Sequence, residues 1–493
     1  MRDEASASLA GSSPSSSPST TTATPAATGA SVAERVLRDF WLATGGSEAD
    51  LARLRFTGTG AAPSAFAFTD FAAGAVGAAS LALAELVAST SGRWPDVAVD
   101  RRLASFWFLT SLRPQGWALP PQWDPVAGDY QAADGWIRLH TNAPHHRDAA
   151  LAVLEAPVER EAVARAVARW RVDELEAAVV GRGGCAAAMR SAAAWTAHPQ
   201  GRAVAAEPLL HREAAGAVAR PGWALAPERP LRGIRVLDLT RILAGPVATR
   251  WLAGFGAEVL RIDPPGWEEP GTVPEVVVGK RRARLDLKQA GDRACLEQLL
   301  RGADVLVHGY RPDALARLGL DAARRRELNP ALVDVSLDAY GWSGPWQGRR
   351  GFDSLVQMSS GIAEAGMRVT GSARPVPLPG QALDHATGYL LAAAALRGLT
   401  RRLATGEGGS ARASLARTAG LLLAHPAAPG APLPGRPGTL AAEGADDLDA
   451  AIEHTSWGPA QRLRMPVTVA GTPMRWELPA GTLGSSAPEW VAR

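Results

Sequence analysis

Asp384 stands at the head of a long alanine-rich stretch, in the run Leu383, Asp384, His385, Ala386, Thr387, Gly388. An aspartate at such a point caps the free backbone N–H groups of a helix start. The same carboxylate is a nucleophile if the thioester of a phosphopantetheine arm is brought to it, and attack there gives a mixed anhydride. Helix N–H groups close by would keep the side chain ionised and could stabilise an oxyanion. The two uses are compatible. His385 beside it offers an imidazole for proton transfer.

Phosphate recognition needs guanidinium or ammonium groups on turns that follow strands. Arg241, Lys280, Arg281, Arg317 and Arg350 fit that description. His140, His145 and His146 share one stretch, but the loop holding the last two lacks the ligand spacing and carboxylate partners a metal asks for, so no metal site is expected. No G-x-G-x-x-G follows the strands near residue 240, which argues against a dinucleotide oxidoreductase, and no G-x-S-x-G elbow occurs.

These residues need a frame. Residues 234–239 read as a short β-branched and leucine strand, and Ala244, Gly245 and Pro246 then turn the chain into a helix closed by Gly256. A second strand covers 258–262. Such a strand–helix–strand unit places its ligand crevice at the carboxyl ends of the strands. Further strands are expected at 303–307 and 332–337, with helices at 312–318 and 352–361. Upstream, a helical pattern starts near Val32, and residues 159–179 are expected to be strongly helical. Strands are expected around Val97 and Val99 and after the turn at Asp134 and Gly135, and a helix over 103–112.

A pattern recurs. Asp70 precedes Gly74 and Gly92 by the same distances that Asp384 precedes Gly388 and Gly406, each time across an alanine-rich stretch followed by an alternating one. Two alanine-rich helices could match by chance, but two equal offsets followed by a matching strand and helix favour duplication.

Taken in order, VLDLTRILAGP (236–246), GAEVLRID (256–263), KRRARLDLK (280–288), ADVLVHGYRPDALARLGL (303–320), NPALVDVSL (329–337), the turn at Gly344 and Pro345, GFDSLVQ (351–357) and LDHATGY (383–389) form a set. Residues 231–418 resemble the first half of the family III CoA-transferases, the group of formyl-CoA and carnitine-CoA transferases that also takes in α-methylacyl-CoA racemase. The resemblance implies an α/β fold, with a Rossmann-like doubly wound domain and a smaller α+β domain. It implies a CoA-transferase that moves CoA from an acyl-CoA to a carboxylic acid through an aspartyl anhydride. Asp384 occupies the position of the family's catalytic aspartate. Arg241, Ile242, Leu243, Ala244, Tyr310, Arg317 and Arg350 fall where the family contacts CoA, and Lys280 joins them as a phosphate candidate. Pro264 and Pro265 depart from the pattern, standing where some members place a basic residue for the CoA phosphate. Coenzyme A and acyl-CoA are then substrates, no cofactor is permanently bound, and a homodimer is implied.

The chain order departs from a single family unit. Residues 130–140 and 184–203 resemble the family's small domain and its exit, and 465–484 resemble its C-terminus, so the chain reads as two linked partial units that jointly supply one active unit. The expected divisions are a low-complexity, disordered segment (1–31), a partial unit (32–215), a linker (216–230), the aspartate-bearing part (231–425), a second linker (426–440) and a tail (441–493). Asp70 would be a relic. The rival readings are a racemase-type isomerase and a non-catalytic acyl-CoA-binding homologue. The racemase needs a histidine beside its GxD motif, and Gly351, Phe352 and Asp353 supply none.

Composition sets the outer bounds. The chain has 493 residues and a net charge of +3, and Lys280 and Lys288 are its only lysines, so its basic pI near 9.2 reflects arginine. Without a face of clustered arginines and stacking aromatics, no nucleic-acid partner is expected. The two cysteines, Cys185 and Cys295, lack C-x-x-C spacing and read as small buried hydrophobes in a reducing, cytoplasmic setting. Residues 74–88 are the most apolar run. They read as too short for a membrane span and are interrupted by Glu85. The first thirty residues lack a signal-peptide pattern.

Overall fold

A computed structural model of the protein describes residues 30–311 and 313–491; most of the expected disordered segment (1–31) lies outside them. Its centre is a sheet of seven strands. From one edge to the other these are Lys280–Arg284, Glu258–Asp263, Arg235–Leu239, Val305–His308, Val333–Asp338, Glu407–Ser414 and His211–Ala217. The first six run parallel, and His211–Ala217 is antiparallel to its neighbour, with His211 opposite Arg412. Val236, Leu237, Val305 and Leu306 are wholly buried, as a parallel strand covered on both faces requires.

The order of filling creates the crevice. From Arg235–Leu239 the chain adds Glu258–Asp263 and Lys280–Arg284 on one side, then crosses to Val305–His308 on the other. The carboxyl ends of Arg235–Leu239 and Val305–His308 therefore diverge at the reversal, where parallel sheets take ligands.

Two helices of equal length follow, Ala382–Thr405 packed on this sheet and Phe68–Ser91 on the three strands Leu54–Thr57, Val97–Asp100 and Val467–Val469. Phe68–Ser91 and Ala382–Thr405 each span 24 residues and each end on a left-handed glycine, Gly92 and Gly406. They pack against each other, and Glu85 pairs with Arg397 between them. Asp70 and Asp384 both hold the third helical position. At Gly388 a Cβ would lie 2.4 Å from the Ala244 carbonyl oxygen and 2.9 Å from Val247 Cβ. At Gly74 it would lie 2.9 Å from the Ala33 carbonyl oxygen and 2.7 Å from Val36 Cβ. Each long helix thus needs its glycine for a close crossing, one with Ala244–Gly254 and the other with Val32–Ala43. The strands that follow also correspond. Val97–Asp100 lies between parallel Leu54–Thr57 and antiparallel Val467–Val469, as Glu407–Ser414 lies between Val333–Asp338 and His211–Ala217.

Several expectations need correction. Phe68–Ser91 is long and apolar enough to cross a membrane by length and composition, so 74–88 understated its extent; 89% of its most apolar window is buried inside the protein. The helical stretch expected over 159–179 is present as Arg160–Val167 and Val172–Gly181, with the chain turning between them. The one expected over 103–112 ends at Trp107, and Leu112–Pro114 continues as a strand. Part of the proline-rich stretch before residue 230 is the edge strand His211–Ala217, held by its pairing to Glu407–Ser414.

Candidate active site

Two cavities meet at Asp384. The first, about 350 Å³, lies at the strand reversal and is lined by Leu239, Thr240, Arg241, Gly309, Tyr310 and Arg311 among others. The second, about 290 Å³, is walled by Thr110, Trp123, Arg138, His140 and Gln357 among others. Ile242, Leu243, Phe352 and Asp384 line both. Asp384 is only 7% exposed, and that remnant faces the junction.

The carboxylate is not a helix cap. Gln381 holds the cap position without a side-chain bond. The donors at the helix start turn instead to Asp353, whose Oδ2 accepts the Asp384 N–H at 2.9 Å while Oδ1 accepts from Gln357 Nε2 at 2.5 Å. Burial, then the neighbouring Asp353 carboxylate, push the Asp384 pKa well above the ordinary aspartate value. Burial raises Asp353 as well, against the bonds it accepts. The expectation that helix N–H groups keep Asp384 ionised is therefore reversed, because Asp353 takes those donors and adds a like charge.

Arg241 lines the first cavity, with its guanidinium 4.7 Å from the Trp267 ring centre and Nη2 3.2 Å from the Tyr310 hydroxyl. Arg350 lines it too and donates to the Gly183 carbonyl at 2.9 Å. Leu243 and Ala244 form the turn into the helix Ala244–Gly254. Ile242 has φ of +66°, a conformation a β-branched residue rarely adopts. It is held there by Glu269, which accepts the Ile242 N–H at 3.0 Å and is itself fixed by Arg261 and Trp267. Strain of this kind costs about 1–3 kcal/mol and persists only where the surroundings over-determine it.

Three sequence candidates lie elsewhere. Lys280 is fully buried and outside both cavities. Its ammonium donates to Asp238 at 3.0 Å, to the Pro246 carbonyl at 3.0 Å and to Thr249 at 2.7 Å, and burial lowers its pKa to about 8. It ties a strand to the helix Ala244–Gly254 and is not placed to meet a phosphate. Arg317 keeps 69% of its side chain exposed, pairs with Asp313 and is absent from the cavity walls; Arg311, which reasoning from spacing missed, lines the cavity instead. Arg281 is bonded to the Glu489 carbonyl. Asp353, Gln357, Arg138 and His146 were also missed as site residues. For Asp353, the GFD run was the available signal. Asp70 is held by Arg101, whose Nε donates at 2.8 Å. His385 stacks on Phe108 at 5.0 Å, lies outside both cavity walls, and burial lowers its pKa to about 3. Among the described residues no three His, Cys, Asp or Glu side chains gather as a metal would need.

The model described as CoA-transferase family III matches residues 231–454. Those residues are thus similar to CoA-transferase family III. A probable fatty acyl-CoA transferase, Rv3272 of Mycobacterium tuberculosis, is 36% identical over 193 residues, or 36% of this chain and 48% of that protein. The succinyl-CoA:glutarate CoA-transferase of Mus musculus is 34% identical over 195 residues, 36% of this chain and 44% of its own length. A crystal structure of the Mycobacterium tuberculosis protein is similar with 31% identity and a TM-score of 0.36, covering 40% of this chain and 58% of the other. The chain thus spans about half the length of the curated relatives it matches. The family III segment supplies Asp384, Asp353 and the arginines of the first cavity, while residues 109–146, outside it, supply much of the second cavity's wall.

Proposed function

We propose that the protein is an acyl-CoA:carboxylate CoA-transferase with Asp384 as its nucleophile. The observation that carries this reading is the position of Asp384 where two cavities join, the first rimmed by Arg241, Arg311 and Arg350 and the second walled by apolar and polar side chains together. Phosphates suit the arginine rim, and an acyl or acceptor group suits the second cavity.

In this reading an Asp384 oxygen attacks the donor thioester carbonyl, the C–S bond breaks, and the CoA thiolate leaves with the electron pair. The thiolate attacks the aspartyl carbonyl of the mixed anhydride, releasing the donor acid as carboxylate and leaving CoA on Asp384. An acceptor carboxylate then attacks that thioester, re-forming thiolate and a new anhydride. Thiolate attack on its acyl carbonyl gives the new acyl-CoA and returns the Asp384 carboxylate. No net proton is consumed. Coenzyme A is a substrate throughout, and Ile242, Leu243 and Ala244 are read as its neighbours beside Arg241, Tyr310 and Arg350.

We read the frame as Rossmann-like and the chain as two linked partial family units. The first unit keeps the long helix, its glycine crossing and its following strand, and gives residues 109–146 to the site of the second. Asp70 is then the counterpart of Asp384, neutralised by Arg101. The resemblance also proposes a homodimer and a cytoplasmic setting. A racemase needs a second proton-transfer group at the reacting carbon, and the placement of His385 against Phe108 favours transfer.

A screen for CoA exchange between pairs of acids tests the function. The wild type is expected to exchange at least one pair, and Asp384→Asn none, with CoA binding kept. Racemisation of a 2-methylacyl-CoA without exchange would overturn the reading.

A further inference from the structure

His146 is buried in the wall of the first cavity, 4% exposed, and among the described residues neither of its ring nitrogens, each exposing less than 1 Å², has a hydrogen-bond partner. It lies in the first turn of the helix Pro144–Leu154, outside the family III segment. Its ring meets Phe352 edge-on at 5.9 Å, and Phe352 is a wall of both cavities next to Asp353. A buried N–H or ring nitrogen left unpaired costs about 1–3 kcal/mol. Packing alone gives no reason to keep imidazole here, because a phenyl ring would fill the place without that cost.

Burial, then His145 and Arg350, lower the pKa of His146 to about 3. The ring is therefore neutral near pH 7, with one N–H donor and one acceptor nitrogen. Such a group between arginines adds nothing to the attraction for phosphates. It matches an uncharged carbonyl oxygen farther along the same ligand.

We propose that His146 is a ligand-binding residue whose ring turns toward the cavity when acyl-CoA enters and donates its N–H to a carbonyl oxygen of the arm, either an amide of the pantetheine or the thioester itself. The proposal rests on reading the first cavity as an acyl-CoA site.

The test compares His146→Phe and His146→Gln with wild type, measuring affinity for free CoA and for an acyl-CoA by calorimetry, steady-state kinetics and Tm. His146→Phe is expected to raise the Tm of the free protein, by removing an unpaired buried group, and to weaken acyl-CoA binding about tenfold. His146→Gln keeps an N–H donor and should recover most of that loss. If the partner is a pantetheine amide, free CoA and acyl-CoA weaken alike and kcat stays near wild type. If the partner is the thioester, free CoA binds as before while acyl-CoA affinity and kcat fall. Unchanged acyl-CoA affinity and kcat/KM in His146→Phe overturn the proposal, as does a loss of Tm and affinity together that His146→Gln does not restore. A wild type that binds CoA but exchanges no acid sinks the transferase reading and leaves this binding test standing.

Discussion

Asp384, the proposed nucleophile, lies in surroundings that favour its protonated form. Burial and Asp353 both raise its pKa, and only the ionised carboxylate attacks a thioester. The value of kcat/KM should therefore rise with pH through a pKa well above the ordinary aspartate range. Asp353→Asn should move that rise to lower pH by removing the like charge, and a pH–rate profile of each enzyme checks this. A wild-type profile flat down to about pH 4 would contradict the assignment. The stability consequence has a definite sign. A carboxyl whose folded pKa is raised binds more protons folded than unfolded, so its contribution to stability falls as pH rises from near 4 through the folded pKa. Asp384→Asn should accordingly gain Tm over wild type at pH 8 and lose most of that gain near pH 4. That Asp384 would lie at a cavity with Arg241 and Arg350 was legible from LDHATGY and the neighbouring motifs. The electrostatics were not, because Asp353 is 31 positions away and reaches Asp384 only through the fold. Lys280 misled for a related reason: basic spacing says nothing about a buried partner such as Asp238.

Between elements, the decisive contact is the crossing of Ala382–Thr405 with Ala244–Gly254 at Gly388. Gly388→Ala would drive a methyl group into the Ala244 carbonyl, and overpacking of this sort costs about 1–3 kcal/mol. The same shift displaces Asp384, four residues earlier, from the Leu243 and Ala244 turn. Gly74→Ala imposes a comparable clash on Val36 in the other long helix but leaves Asp384 alone. Both variants should lose Tm, and only Gly388→Ala should lose kcat by tenfold or more in exchange assays. Equal kcat losses would show that the two crossings are coupled. The paired long helices and their terminal glycines were readable from offsets in the sequence, and so were the central strands. The crossing partner Val32–Ala43 was not seen as the counterpart of Ala244–Gly254, since only the approach of Ala33 and Val36 to Gly74 reveals it.

Across the whole molecule, distant parts of the chain converge on Glu275. Its carboxylate accepts from Ser111 N–H at 3.1 Å and Leu112 N–H at 3.0 Å, and it pairs with Arg250 and with Arg462. Burial opposes its charge, yet Arg250 and Arg462 hold the pKa down to about 2. A lowered carboxyl pKa contributes stability above its unfolded value, near 4.5, and that contribution is lost as pH falls toward 2. Glu275→Gln leaves the buried Arg250 guanidinium without its counter-charge and Arg462 with Glu453 alone, so it should cost about 3–5 kcal/mol at pH 7. Thermal melts should show its Tm deficit shrinking as pH drops from 5 toward 2. A deficit unchanged over that range would remove Glu275 as the acid-sensitive tie. No local pattern foretold this node, which joins residues near 111, 250, 275 and 462. The central claim, that CoA passes through the Asp384 carboxylate, is tested most directly by treating the acyl-CoA-loaded protein with hydroxylamine and sequencing its peptides by mass spectrometry. An aspartyl hydroxamate at position 384, dependent on acyl-CoA, is the expected result. Exchange activity with no modification at Asp384, or undiminished exchange in Asp384→Asn, would contradict the claim.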